Sequence, residues 1–381
     1  AGPRAEAVLG AGPHGPVTAD LAAAHGPFLV SGPAGSGKTE LLRSAAASLA
    51  AGERPDRLAL VLVDGDGDGL RVCGDLPHAT TYLAAGDPVR MREFAQALGG
   101  ELKRRAELLG DRPYEAYAAE VSRARHHAAG GPTGGPAARV VAQRRAAGAP
   151  RTGTGSGTGV GAGVGAGSEP GALKLRAPGD ADPAGTATTP GPLPRLVVLV
   201  DDFDTLVAPA LGNPGRPAAG SVVRALEAVA RDGARLGVHL IAATGRPEHT
   251  GRTATGQGAA LRAFLGSDTR GGPDGRGASD GSGAADGRGG PAEEPLPGRG
   301  SLHRPDGSVT AFQAGRVSGR IPRTATLRPT VVPLDWARAG DPPTRRPVRE
   351  LGNGPTDLAL LASAVERAAR EAGAPAPPPL M

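Results

Sequence analysis

Aromatic residues are few, with five Phe, three Tyr and one Trp in 381 residues. That scarcity excludes modules that grip single-stranded nucleic acid by stacking bases on aromatic platforms. A single cysteine, Cys73, leaves no internal disulfide framework and no Cys-rich zinc site, and it fits a reducing compartment. The longest apolar run is the six residues from Leu58 to Val63, far short of the roughly 20 that a membrane-crossing helix needs, and no signal-peptide pattern precedes the first strand. The stretch reads as soluble, and its start at Ala1 reads as a segment of a longer chain. Lysine is scarce too, with only Lys38, Lys103 and Lys174 among 43 basic residues. The formal net charge is +5, but the arginines are scattered. A solvated basic surface is the plain reading and a polyanion-binding face the other.

Glycine and proline are abundant, at 62 and 38 residues, and they cluster. Between Ala128 and Pro192, 25 of 65 residues are Gly or Pro, with glycine at every second position from Gly153 to Gly167. Such a segment buries too little apolar surface to offset its ordering entropy and reads as a flexible insertion. From Gly266 to Gly289 a six-residue unit repeats four times with Asp268, Asp274, Asp280 and Asp286 in register. A β-helix would need an inward aliphatic residue in each unit, so this too reads as linker. The remainder, roughly 290 residues, suffices for one sizeable α/β domain with extensions.

Within that remainder strands and helices alternate. Phe28 to Val30, Leu58 to Val63, Leu196 to Val200 and Val238 to Ala243 are short apolar runs, as strands buried on both faces should be. Asp87-Pro88 caps and starts a helix whose Met91, Phe94, Ala95, Leu98 and Leu102 share one face, and Ser221 to Arg235 reads as another helix through Val222, Leu226 and Val229. This rhythm predicts an α/β fold with a mainly parallel sheet flanked by helices.

The chemistry centres on Gly32-Pro33-Ala34-Gly35-Ser36-Gly37-Lys38-Thr39, which satisfies GxxxxGK[ST] between an apolar strand and an apolar-faced helix. Glycines let backbone N–H groups wrap phosphates, the helix N-terminus adds its dipole, Lys38 reaches the β and γ phosphates, and Thr39 offers its hydroxyl to Mg²⁺. The strand Leu196 to Val200 ends in Asp201-Asp202, at the sheet edge where open α/β proteins bind ligands. Asp201 is the metal-side acid in this reading, and Asp202 the group that orients the attacking water. At a third strand end, Thr244 is placed to sense the γ-phosphate, and Arg246 either stabilises transferred charge or is a surface arginine before the turn-forming Pro247. Asp64-Gly65-Asp66-Gly67-Asp68-Gly69, with Asp75 at the twelfth position, has calcium-loop spacing. It follows a strand and carries Arg71 where an apolar residue belongs, so an acid-rich turn is the better reading. The pair His126-His127 reads as surface and Cys73 as a small core or loop residue.

The order of these features resembles the FtsK/SpoIIIE motor ATPases, a family that includes EccC-like type VII secretion ATPases. The matching pieces are Gly15 to Leu21, Gly37 to Arg43 including Glu40, Leu76-Pro77-His78, Arg104 to Leu109, Val200 to Phe203, Ala234 to Leu240, Ala243 to Pro247, Leu296 to Gly300, and Phe312 to Val317. The resemblance implies a RecA-like P-loop NTPase fold that uses ATP and Mg²⁺, with residues 32–40 and Thr244 around the nucleotide, Thr39 and Asp201 at the metal, and Lys38, Asp202 and Arg246 in catalysis. Lead-in strands would occupy residues 1–27, the first and second parts of the ATPase core 28–127 and 193–265, and insertions 128–192 and 266–295. Residues 296–350 would supply the last strands, and 351–381 a helical connector to a further ATPase module. The family's basic turn after the second strand is acidic here (Asp66-Gly67-Asp68), its Gln before Arg-Pro is Gly245, and Asp202 stands where Glu is common. By resemblance the module works in a ring or tandem stack at the inner face of the cytoplasmic membrane, translocating duplex DNA. Two alternatives are secretion of polypeptides and a regulatory nucleotide binder with little hydrolysis.

Overall fold

The structure, a computed structural model, describes residues 4–129, 193–207, 217–266, 296–324, 336–338, 340 and 350–381. Most of the two segments read above as flexible insertion and linker lies outside the described residues. The chain divides into two compact units, Ala1–Glu120 with Pro192–Met381, and Val121–Gly191. The first unit carries the sheet. Of the second, only the last residues of one helix are described.

The apolar runs form β3 (Phe28–Ser31), β4 (Leu58–Asp64), β6 (Arg195–Asp201) and β7 (Val238–Thr244), each buried along its whole length. With β5 (Ala79–Ala84) and β8 (Leu261–Leu265) they make six parallel strands in the order β8-β3-β7-β6-β4-β5. The sheet continues past β8 as an antiparallel wing of β9 (Arg299–His303), β10 (Val309–Ala314), β1 (Glu6–Gly12) and β2 (Gly15–Asp20). Ten strands result, six parallel and four antiparallel. The wing carries the alternating burial of half-covered strands, as in β1, where Ala7 and Leu9 face the core and Glu6 and Val8 face out. β8, at the seam, also alternates, which is why its sequence signal is weak. A separate antiparallel pair joins β11 (Arg320–Thr324) to β12 (Glu350–Thr356).

Helices cover both faces. On one, α2 (Lys38–Gly52) buries Leu41, Leu42, Ala45 and Leu49 against Leu58, Leu60 and Leu62 of β4, with α1 (Leu21–Ala24) at its margin. On the other, α3 (Pro88–Leu109) packs against α6 (Pro217–Leu236), α4 (Tyr114–Ala129) follows α3, and α5 (Phe203–Val207) follows β6. Asp87 caps α3 by accepting from the Val89 and Arg90 amides at 2.9 and 3.2 Å, with Pro88 at the first helical position. Two short helices, α7 (Pro247–Thr250) and α8 (Ala254–Gln257), lead into β8, and α9 (Asp357–Glu371) closes the fold with Leu358 and Ala362 in the α2-side core. Among the described residues no helix is long and apolar enough to cross a membrane.

The amino ends of the parallel strands are fastened by two buried cations. Arg105, 2% exposed, pairs with Glu101 at 2.7 Å and donates to the carbonyls of Pro194, Leu236 and Gly237. Arg195, fully buried, contacts Glu115 at 2.6 Å, the His239 ring at 2.7 Å and the face of Tyr114. Gly237 is required here: its φ is +70°, and a Cβ would sit 2.3 Å from the Tyr114 ring. Burial, reinforced by Arg195, pushes His239 down to about 3. The folded state thus holds His239 neutral while the unfolded chain takes up a proton near pH 6.5. Stability is therefore lost as pH falls from about 6.5 toward 3, by at most about 1.4 kcal/mol per pH unit from this group. A urea titration series should show a shallower fall between pH 7 and pH 4 for His239→Gln than for the parent.

Candidate functional site

The carboxyl ends of β3, β7, β6 and β4 meet at one edge because the register pairs Ser31 with Thr244 and Asp64 with Asp201. From Ser31 the chain enters the glycine loop and turns into α2 at Lys38. Gly35 and Gly37 adopt φ of +75° and +95°, the left-handed values that turn successive N–H groups inward. Gly32 admits no side chain, since a Cβ would lie 2.5 Å from Ser36 Oγ and 2.8 Å from Leu265 O. Lys38 is 9% exposed, and its Nζ donates to the Gly32 and Pro33 carbonyls, both at 3.0 Å.

Thr39 and Asp201 meet although 162 positions apart: Thr39 Oγ1 donates to Asp201 Oδ2 at 2.6 Å. A hydroxyl and a carboxylate converging beside a parked ammonium are the donor set expected of a Mg²⁺-phosphate site, so these residues fit the ion. Asp202 follows in a left-handed conformation, φ +46°, with its N–H donating to Asp201 Oδ1 at 3.1 Å. Its carboxyl is pushed up to about 6 by burial first, then by Asp201 and Asp204, with Lys38 acting in the opposite sense. Its environment thus makes this carboxyl more basic than an ordinary aspartate.

A cavity of about 580 Å³ opens between the loop and the acids Asp202 and Asp204, with Gly35, Lys38, Thr39 and Arg246 also in its wall and Asp201 buried behind Thr39. Arg246 is mostly exposed and lies 4.0 Å from Asp204. Three of the residues expected at the nucleotide have side chains that are buried or bonded within the protein. Thr244 is fully buried behind the wall, its hydroxyl accepting the Arg246 N–H at 3.1 Å. Ser36 is buried with its hydroxyl toward Gly32, and its carbonyl accepts from Gly298 at 2.8 Å. Glu40 borders the cavity, but its carboxylate accepts the Val317 and Ser318 amides at 2.7 Å each, which together with Arg43 outweigh burial and hold it below its usual range.

Two further acids shape the site, one of them, Asp204, without a motif to mark it in the sequence. Asp204, 5% exposed, accepts the Gly245 N–H at 2.9 Å and so sets the turn ahead of Arg246. Asp64 sits buried beside Asp201 on the neighbouring strand, accepting from Tyr82 Oη at 2.8 Å and from the Leu70 amide, and burial raises its carboxyl. The alternating Asp-Gly segment is a turn pressed against the acid strand. A Cβ on Gly69 would sit 2.7 Å from Thr39 Cγ2 and 2.9 Å from Asp201 Oδ2, and one on Gly65 would sit 2.3 Å from Asp202 O. Glycine at every second position was the available signal for that close approach. Cys73 lies in the core, its thiol pushed up to about 12 chiefly by burial. The side chains of His126 and His127 lie outside the described residues. The contact made by Gly69 yields an expectation. Gly69→Ala should force Thr39 and Asp201 apart and weaken Mg-ATP binding about tenfold or more, read by titration of a fluorescent ATP analogue, with a smaller loss for the Mg²⁺-free nucleotide.

The FtsK/SpoIIIE family model matches residues 6–249. Among solved structures, the cytoplasmic domain of the Thermomonospora curvata type VII secretion ATPase EccC is 20% identical over 95% of this chain and 31% of its own, with a TM-score of 0.50. EssC (ATPases 2 and 3) from Geobacillus thermodenitrificans is 14% identical over 100% of this chain and 51% of its own, with a TM-score of 0.54. Thermomonospora curvata EccC (ATPases 2 and 3) in complex with a signal sequence peptide is 18% identical over 99% and 49%, with a TM-score of 0.51. At such identities these likenesses concern the fold, and the chain spans about half or less of the length of each. No curated protein sequence matches. With its glycine loop, acid strand and RecA-like sheet in place, and the family match covering well over half its length, the chain belongs to the FtsK/SpoIIIE family of P-loop ATPases.

Proposed function

We propose that this module binds ATP with Mg²⁺ in the cavity and hydrolyses it, coupling turnover to movement of a polymer through a ring or tandem stack of such modules. The Thr39–Asp201 contact carries this reading, because it brings an ion-binding hydroxyl and carboxylate to the mouth of the glycine loop. Bound Mg²⁺ would supply charge neutralisation at the β and γ phosphates. The amides of the loop and of the first turn of α2 receive phosphate oxygens along the helix dipole. Lys38 exchanges the Gly32 and Pro33 carbonyls for phosphate, and Thr39 and Asp201 hold the ion. Asp202 orients the attacking water and takes its proton. Arg246, on the turn fixed by Asp204, faces the charge that develops on the transferred phosphoryl group. In this reading residues 28–127 and 193–265 form the ATPase core, and the module acts on the cytoplasmic side of a membrane through parts of a longer chain.

For the cargo, we read a secreted polypeptide. The Thermomonospora curvata EccC structure is that of a type VII secretion ATPase, a second EccC structure is held with a signal sequence peptide, and the segment from Gly354 into α9 resembles the connector between tandem modules. Lys38→Ala should abolish nucleotide binding, whereas Asp202→Ala should keep binding and lower turnover about a hundredfold or more, measured by nucleotide titration and phosphate release. Binding without turnover in the parent would leave a regulatory module. Stimulation by duplex DNA that disappears with salt, and none by a signal-type peptide, would transfer the cargo to DNA.

A further inference from the structure

Glu40 is the acid in the first turn of α2, directly after Thr39. Its Oε1 accepts from the N–H groups of Val317 and Ser318, 277 and 278 positions away, at 2.7 Å each. Its Oε2 accepts from Arg43 at 3.2 Å. Arg43 Nε in turn donates at 2.7 Å to the carbonyl of Gly69, the residue packed against Thr39 and Asp201. One helical turn on, Ser44 Oγ donates to the Gly315 carbonyl at 3.2 Å. Residues 315–318 are thus laid across the first two turns of α2 and held there by side chains of that helix.

The same segment is tied on its other side to α9. The Val317 carbonyl accepts from the Leu358 amide and the Gly319 carbonyl from the Asp357 amide, both at 3.0 Å. Val317 is therefore bonded through its N–H to the phosphate-loop helix and through its carbonyl to the C-terminal helix. A backbone unit held on both sides follows whichever neighbour moves, because parting either bond leaves a partly buried polar group unpaired. Although Glu40 borders the cavity, both of its carboxylate oxygens are occupied by these protein partners.

We infer that Glu40 is a positioning residue that couples nucleotide occupancy of the phosphate loop to the placement of α9, with residues 315–319 as the link. The inference rests on the nucleotide-binding reading of the cavity. Release of Lys38 from the Gly32 and Pro33 carbonyls and engagement of Thr39 both act on the turn that carries Glu40, and the two amide bonds pass that shift to Val317 and on to Leu358.

Hydrogen exchange on the whole chain, with and without a non-hydrolysed Mg-ATP analogue, tests this beside a nucleotide titration of each variant. Without nucleotide, the amides of Val317 and Ser318 should exchange about tenfold faster or more in Glu40→Ala than in the parent, since they lose a charged acceptor. Nucleotide should change exchange across residues 357–371 in the parent, and this response should vanish in Glu40→Ala when each protein is compared at the nucleotide concentration that its own titration shows to saturate it. Glu40→Gln retains a side-chain oxygen that accepts both N–H groups, so it should restore the response; a role in packing alone would not separate the two variants. An equal response at 357–371 in parent and Glu40→Ala overturns the inference, and so does a parent that binds nucleotide with no change there. A flat titration of the parent removes the nucleotide reading and the coupling with it, and is told apart from the other outcomes by that titration alone.

Discussion

The contact on which the rest of the site depends is the short hydrogen bond from Thr39 to Asp201. It joins a residue of the glycine loop to one 162 positions later, and it exists only because β7 lies between β3 and β6 in the sheet. That spacing lets α2 start beneath the end of the acid strand, so a hydroxyl on its first turn and a carboxylate at the strand tip share one position. A one-residue slip of β6 would turn Asp201 to the other face of the sheet and replace it with Val200 or Asp202. The full burial of β4, β6 and β7 guards against such a slip, because each strand packs both of its faces.

Around that contact the chain is packed closely enough to exclude even a methyl group. Gly65 and Gly69 press the acidic turn onto Asp201, Asp202 and Thr39, and Gly32 presses the loop onto the end of β8. Four carboxylates, those of Asp64, Asp201, Asp202 and Asp204, crowd the same edge, and two of them, Asp64 and Asp202, are raised by burial and by their neighbours. The arrangement is electrostatically costly without a cation, and it is the kind of cost that functional sites carry. Asp202 in a left-handed conformation adds backbone strain at the same point.

The opposite end of the parallel strands does different work. There Arg105 and Arg195 satisfy carbonyls, two carboxylates and a neutral imidazole, holding α3 and α4 to the starts of β6 and β7. The antiparallel wing ties the phosphate loop to the end of the chain, through Gly298 on Ser36 and Val317 on Glu40. Residues far apart in the sequence thus contribute to one unit, and the intervening length costs little because loop-closure entropy grows only with the logarithm of loop length.

The sequence by itself determined the local pieces: the apolar strands, the Asp87 cap, the glycine loop with Lys38 and Thr39, and the acid pair after β6. Each is written in nearest-neighbour chemistry, through periodicity, left-handed glycines or a capping side chain. Four-stranded antiparallel pairing of the wing was not legible, because β1 and β2 join β10 from the far end of the chain and half-buried strands give only weak patterns. Nor were the roles of Glu40 and Asp204, whose side chains bond to backbone groups brought near only by the fold. A carboxylate in a sequence has no direction. Tertiary structure decided which acids face the cavity and which hold the scaffold, since that depends on which buried N–H groups are left needing an acceptor.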